Sequence, residues 1–292
     1  MEAANKELSA PRHPLFQIDE QVEQRGLMVI DNITSMPIYG EEYVSPFALA
    51  VLCQQGSVRA EYDMQPVEFH PGDFCQLRVG HVVKAYETSA DYRARAVVMS
   101  QEFIRNFKQS NAHYFDASIT YYDSHPNIHL TDGQFRQMND AFNLLQTCAT
   151  VGRHYREEMV QSVFRTLLML RYEFCPVPAD ATEGHTLQLS ALFRRAVVEH
   201  YRESREVAFY ARMFCLSPKY FSTLIKQDTG ISASEWIDRY LVLQAKDMLS
   251  RRRDLTIQQV SDLLGFSEHA SFSRFFKKQT GLSPTEFREY NL

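Results

Sequence analysis

No stretch of this chain is long and apolar enough to cross a bilayer; its longest apolar runs, such as Phe47 to Cys53, have the length of a strand. The opening residues Met1-Glu2-Ala3-Ala4-Asn5-Lys6-Glu7 lack the basic segment and apolar core of a secretion signal, so a cytoplasmic protein without membrane contact is expected. Its five cysteines, Cys53, Cys75, Cys148, Cys175 and Cys215, are scattered and never spaced Cys-x-x-Cys. That argues against a disulfide framework or a zinc site and for reduced, mostly buried thiols. A Gly-rich phosphate loop is missing, as are a Ser/His/Asp or Cys/His order tied to a recognisable turn and paired carboxylates at a plausible cleft. The chain is therefore expected not to be an enzyme and to need no cofactor.

What is present suits two globular domains: 292 residues, 45% hydrophobic and 23% charged. The net charge of −5 conceals an asymmetry. From Leu187 onward there are 16 Lys and Arg against 12 Asp and Glu, whereas the preceding 186 residues hold 15 against 24. The C-terminal part can approach phosphate, and the N-terminal part is repelled by it.

Residues 1–26 are polar, with Pro11 and Pro14, and are expected to form an arm. Short apolar runs follow, at Leu27 to Ile33, Phe47 to Cys53, Val58 to Tyr62, Val67 to Phe69, Phe74 to Val79, His81 to Tyr86 and Arg93 to Met99. Turn residues such as Gly56, Pro66, Pro71-Gly72-Asp73 and Gly80 separate them, which predicts an antiparallel barrel or jelly roll over 27–110. His70 and His81 stand apart with no His-x-His pair and read as turn and barrel-rim residues, so no metal is expected.

The region 111–175 predicts a helical hairpin. Thr131 or Asp132 caps a helix bearing Phe135, Met138, Phe142 and Leu145, and a second helix, about Arg153 to Phe174, carries two adjacent stripes. These are Met159, Val163, Leu167, Leu170 and Phe174, beside Val160, Phe164 and Leu168. One stripe covers the barrel; the other is either further core or a homodimer face. Pro176 to Gly184 then breaks the helix with small and polar residues, placing an interdomain linker at 176–186.

The rest, 187–292, predicts an all-α domain containing an internal repeat. Thr256 caps a short helix with Ile257, Val260, Leu263 and Leu264 at helical spacing, Gly265 ends it, and a second helix starts at Ser267 with Phe272, Phe275 and Phe276 on one face. About fifty residues earlier Val207, Tyr210, Ala211 and Phe214 make a first helix, Ser217 and Pro218 open a second, and Phe221, Leu224 and Ile225 repeat the stripe. A shift of 51 carries Gly230 to Gly281, Ser222 to Ser273, Thr223 to Arg274 and Lys226 to Lys277, whereas Ser217 meets Ser267 at a shift of 50. Two helix-turn-helix units, about 207–230 and 256–281, therefore flank a long helix capped by Ser232 or Ser234 and reaching about Ser250. That helix has Ile237, Leu241, Ala245, Met248 and Leu249 inward and Trp236 in the core. The fold class is thus α+β.

Base reading needs donors and acceptors on the outward face of each second helix. The later one offers His269, Ala270, Ser273 and Arg274, and the earlier one Lys219, Ser222 and Thr223. Lys226, Lys277 and Lys278 lie further along and suit phosphates. Arg251-Arg252-Arg253 is either a phosphate clamp or a run that complements a helix dipole.

At these residues the chain resembles the AraC family of bacterial transcription regulators. The likeness covers about Leu187 to Tyr290 and is most specific from Gly265-Phe266 through Phe275-Phe276-Lys277-Lys278 to Thr280-Gly281-Leu282-Ser283-Pro284 and Phe287-Arg288. Ser261 stands where the family commonly has Ala, and Leu241 where it commonly has Arg. The Pro71-Gly72-Asp73 turn and Val79-Gly80-His81 look like the cupin-type sensor domain of many such regulators. The resemblance implies a cytoplasmic homodimer that binds double-stranded DNA, responds to a small-molecule effector and, with RNA polymerase, alters transcription of nearby genes as an activator or a repressor.

Overall fold

The computed structural model describes residues 21–34, 42–111, 125–151, 154–175 and 185–290. The expected arm, apart from its last residues, and the expected linker Pro176 to Gly184 lie outside the described residues.

Among the described residues nine strands form two antiparallel sheets. β1 (Leu27–Ile33), β8 (Arg93–Met99), β3 (Ala48–Gln55), β6 (Asp73–Leu77) and β9 (Asn127–His129) make one, in that order; β2 (Tyr43–Val44), β7 (Val82–Thr88), β4 (Val58–Tyr62) and β5 (Gln65–Phe69) make the other. The central strand β3 is buried on both faces, which is why its sequence reads as an unbroken apolar run. Leu49, Val51 and Cys53 point between the sheets, while Ala48, Ala50 and Leu52 point to a helical layer. Burial pushes the Cys53 thiol up to about 11, with Asp73 adding to the shift, and burial also pushes Cys75 up. Cys53, Cys75 and Cys148 are buried, Cys175 is half-buried and Cys215 is exposed.

The helical layer consists of α1 (Gln101–Ser110), α2 (Asp132–Val151) and α3 (Arg156–Phe174). Thr131 opens α2 with a reciprocal cap, its Oγ1 accepting from Gln134 N and its own N–H donating to Gln134 Oε1. Arg95 ties α2 to the sheet: its guanidinium donates to Asp31 at 2.9 Å and to the side-chain oxygens of Asn139 and Asn143 at 2.8 Å. The apolar arc of α3 divides differently from the two stripes read in the sequence. Leu167 is fully buried within the chain together with Val160, Phe164 and Leu168, whereas Met159 is exposed. Leu167 sits in the intrachain core because it faces the same cluster as Phe142 and Leu145 of α2.

The C-terminal region holds α4 (His185–His200), α5 (Val207–Met213), α6 (Pro218–Thr229), α7 (Ala233–Arg251), α8 (Ile257–Leu263), α9 (His269–Thr280) and α10 (Pro284–Tyr290). Phe193 of α4 is its packing centre, edge-on to Tyr210, Phe221 and Trp236. Leu241, at the position where an Arg is usual, is fully buried in α7 and cannot supply a surface charge. Val44 and Val82 of the β unit join this helical core.

His70 is exposed in the β5–β6 turn, as its sequence context suggests. His81 is not a rim residue: it is only 6% exposed and hydrogen-bonds Asp63 at 2.6 Å. The helical domain covers that end of the sheet. Among the described residues no group of three or more His, Cys, Asp or Glu side chains is arranged to hold a metal, and no helix is long and apolar enough to span a membrane.

Candidate nucleic-acid interface

The two units share the chemistry that ends their recognition helices and differ in how those helices begin. Ser217 caps α6, its Oγ accepting from Tyr220 N, with Pro218 at the first helical position. Both α6 and α9 end at a left-handed glycine, Gly230 (φ 79°) and Gly281 (φ 82°), whose N–H bonds the carbonyl of Lys226 or Lys277 at 2.9 Å. Thr229 Oγ1 then donates to Ile225 O, and Thr280 Oγ1 to Phe276 O.

The repeat continues beyond what the sequence reading takes in. Ser232 caps α7 through Glu235 N and Ser283 caps α10 through Glu286 N, each at 3.2 Å. Ser283 N also donates to the Glu286 carboxylate, and these hydrogen bonds hold that carboxyl below its ordinary pKa. The Ser-x-x-Glu spacing common to both sites was the signal for it.

One boundary is corrected. The later recognition helix starts at His269, with Glu268 in the cap position and no side-chain cap, rather than at Ser267. The residue inserted in the second copy lengthens the turn, so the equivalence with α6 is a shift of 51 from the cap onward.

Each helix buries one stripe and exposes another. Phe221 and Ile225, and in the second unit Phe272 and Phe276, are at most 1% exposed. Lys219, Thr223 and Lys226 are exposed on α6 and Ser222 is half-buried; His269, Ala270, Arg274 and Lys277 are exposed on α9 and Ser273 is half-buried. The nine predicted contact residues therefore gather on two outward faces, whose basic positions are Lys219, Lys226, Arg274, Lys277 and the neighbouring Lys278. Among the described residues no ion pair engages these five cations. In contrast, Arg251 pairs with Asp247 at 2.7 Å and Arg252 with Asp254 at 3.0 Å, which favours the dipole-complementing reading of that run.

The faces differ in chemistry. Thr223 turns its hydroxyl back to Lys219 O at 2.9 Å, while Arg274 presents a planar guanidinium whose contact among the described residues is Ser271 Oγ at 3.5 Å. Tyr220, 55% exposed beside Lys219, is a candidate that the apolar periodicity passes over; a helical wheel places it next to Thr223 on the outer arc. Between the units α7 has 19 residues, a rod of about 28 Å.

Paired recognition helices with unengaged basic and polar faces, joined by one rigid helix, define a double helix-turn-helix domain. A family model described as a helix-turn-helix domain matches residues 210–290. The arabinose operon regulatory protein of Escherichia coli is 30% identical over 171 residues, covering 56% of this chain and 57% of that protein. Its Salmonella typhimurium counterpart is 41% identical over 93 residues, 32% of this chain and 33% of that protein. The chain thus spans about half the length, or less, of these curated relatives. A solved structure of ToxT from Vibrio cholerae aligns over 91% of this chain and 98% of its own at 12% identity and a TM-score of 0.45. The C-terminal domain of this protein is a helix-turn-helix domain of the AraC type.

Proposed function

We propose that the protein is a sequence-specific DNA-binding transcription regulator, with residues 187–292 as its DNA-binding domain. The observation that carries this is the repeat: matching glycine C-caps and cores beneath two outward faces whose cations enter no ion pair among the described residues. The similarity to curated regulators supports it. Lys219, Ser222, Thr223 and Lys226 face one major groove and His269, Ala270, Ser273, Arg274 and Lys277 the next. The rod of about 28 Å falls short of the roughly 34 Å groove repeat, so the DNA bends or the helices tilt to meet it.

Around this domain, the β unit (27–110) senses a small-molecule effector, the helices of 111–175 make a homodimer, a linker that stops at 184 rather than 186, because α4 begins at His185, joins the parts, and the complex acts with RNA polymerase in the cytoplasm. The partner face on α2 and α3 is carried by Leu144, Tyr155 and Met159, all exposed. Glutamate at both Leu144 and Met159 should yield a folded monomer by light scattering and circular dichroism. Leu167→Glu should instead unfold the chain.

The test of DNA reading compares Arg274→Ala with Lys277→Ala on a selected site and on scrambled DNA across a salt series. Arg274 can take both acceptors of a guanine edge, so its loss should cost about 1–3 kcal/mol on the selected site alone and relax one base pair. Lys277, nearly a turn further along, should weaken both DNAs alike and reduce the slope of log K against log salt by about one. Equal losses for Arg274→Ala on both DNAs, with a loss for Lys277→Ala on the specific site only, would mean that α9 lies in the groove the other way round.

A further inference from the structure

The β4–β5 hairpin breaks a local rule. Tyr62 pairs with Gln65, leaving a two-residue loop of Asp63 and Met64, and both have positive φ, 50° and 63°. Loops of this type favour Asn, Asp and Gly, so Asp63 suits its place and Met64 is the residue whose side chain crowds the backbone. Conformational cost of this kind persists where the side chains are held by something else.

At this hairpin Met64 is held by the helical domain, while Asp63 is held by His81 and Val82 of its own unit and reaches the helical domain at Arg194. Asp63 is 3% exposed; its carboxylate accepts from His81 Nδ1 at 2.6 Å and Val82 N at 3.0 Å, and lies 3.5 Å from Arg194 Nε of α4. Burial works to raise its pKa, but His81 and Arg194 outweigh that and hold it below the ordinary value. Met64 packs against the helical core. Gln65 Nε2 donates to the carbonyl of Thr229 at 3.2 Å, at the C-terminal end of α6, where helix carbonyls otherwise lack partners. Alongside, Gly80 lies so close to α4 that an added Cβ would stand 2.6 Å from Val198 Cγ1, and Glu42 pairs with Arg239 of α7.

The second unit has no such attachment. Among the described residues, no hydrogen bond or ion pair from the β unit reaches 257–280, and no side chain bonds the Thr280 carbonyl, the counterpart of Thr229. We propose that the Asp63–Met64 hairpin is a plug by which the β unit holds the first helix-turn-helix unit and leaves the second unheld. Any change in the β unit then reaches the two recognition helices unequally: α6 is bonded to it directly, and α9 only by way of α7, where Gln279 donates to Asp238 beside Arg239. This goes beyond DNA binding and is read on the protein alone, so its failure leaves that reading untouched.

The test is hydrogen exchange on the full chain, comparing the unaltered protein with Asp63→Asn/Met64→Gly. Asn-Gly suits the loop better, so amides of β4 and β5 should keep their protection while the plug is lost. Amides of residues 226–237 should exchange at least ~10-fold faster, and those of 257–280 should change less than about twofold. Arg194→Gln removes the contact from the opposite side and should give the same pattern at smaller size; it decides the matter by the same criteria if the hairpin variant loses protection in β4 and β5. No acceleration at 226–237, or equal acceleration in both units, overturns the proposal.

Discussion

The two helix-turn-helix units agree wherever a two-helix unit must fold and differ wherever each meets its surroundings. Glycine C-caps, the threonine that bonds back into the helix, the Ser-x-x-Glu cap of the next helix and the aromatic or aliphatic stripe recur in both. At the turn, however, the first unit has Cys215 at φ 56° and the second has Gly265 at φ 74°. In the first helix Ala211 of one copy corresponds to Ser261 of the other, and both are fully buried. On the outer face Thr223 corresponds to Arg274. The helix C-caps are thus held constant, whereas N-caps, turn, core contact and reading face are set separately in each unit.

Gly265→Ala should break the comparison most severely. A Cβ there would stand 2.1 Å from the carbonyl oxygen of Arg202, a backbone atom with little room to give, and at a positive φ as well. A loss of several kcal/mol is expected, on the order of 3 or more, measured by denaturant unfolding. A loss below about 1 kcal/mol would mean that the second turn is no tighter than the first, which already carries a side chain.

Next in size is Ser261. Its Oγ is buried with no hydrogen-bond partner among the described residues, whereas its counterpart in the first unit is alanine. A buried hydroxyl left unpaired costs about 1–3 kcal/mol. Ser261→Ala should therefore stabilise the chain by about 1 kcal/mol, and Ala211→Ser should destabilise it by a similar amount. Should Ser261→Ala lower the melting temperature, the hydroxyl has a partner after all.

How far the sequence revealed this structure depended on whether a residue's neighbours were near in the chain. Caps and stripes are local, so both recognition helices and strands such as Val58–Tyr62 and Arg93–Met99 were legible. β2 and β9, of two and three residues, are too short to show a period of two, and their strand character comes from pairing with β7 and β6. The burial of His81 could not be read either, because it depends on α4 and α7 closing over the end of the sheet. For α3, periodicity showed a broad apolar arc but not that α2 takes Leu167 out of it. The outward faces of α6 and α9 were legible as faces, while the freedom of their cations and the asymmetric hold on α6 required the tertiary contacts.

The smallest expected effect concerns the first turn, at Cys215. An L residue in the left-handed region pays roughly 1–2 kcal/mol of steric strain, and Cys215→Gly removes it. Glycine also frees the unfolded chain, which gives back about 0.5–1 kcal/mol. The net gain should be a few tenths of a kcal/mol, too small to interpret alone. Cys215→Ala supplies the reference, since it removes the sulfur and keeps the strain. The exposed thiol makes few contacts to lose, so Cys215→Gly should exceed Cys215→Ala in stability by about 0.5 kcal/mol in paired denaturation curves. Equal stability, or alanine ahead, would place this turn outside the left-handed region and end its equivalence with Gly265. The expected order instead makes the two turns one conformation, with a side chain tolerated at modest cost only where no carbonyl stands in its way.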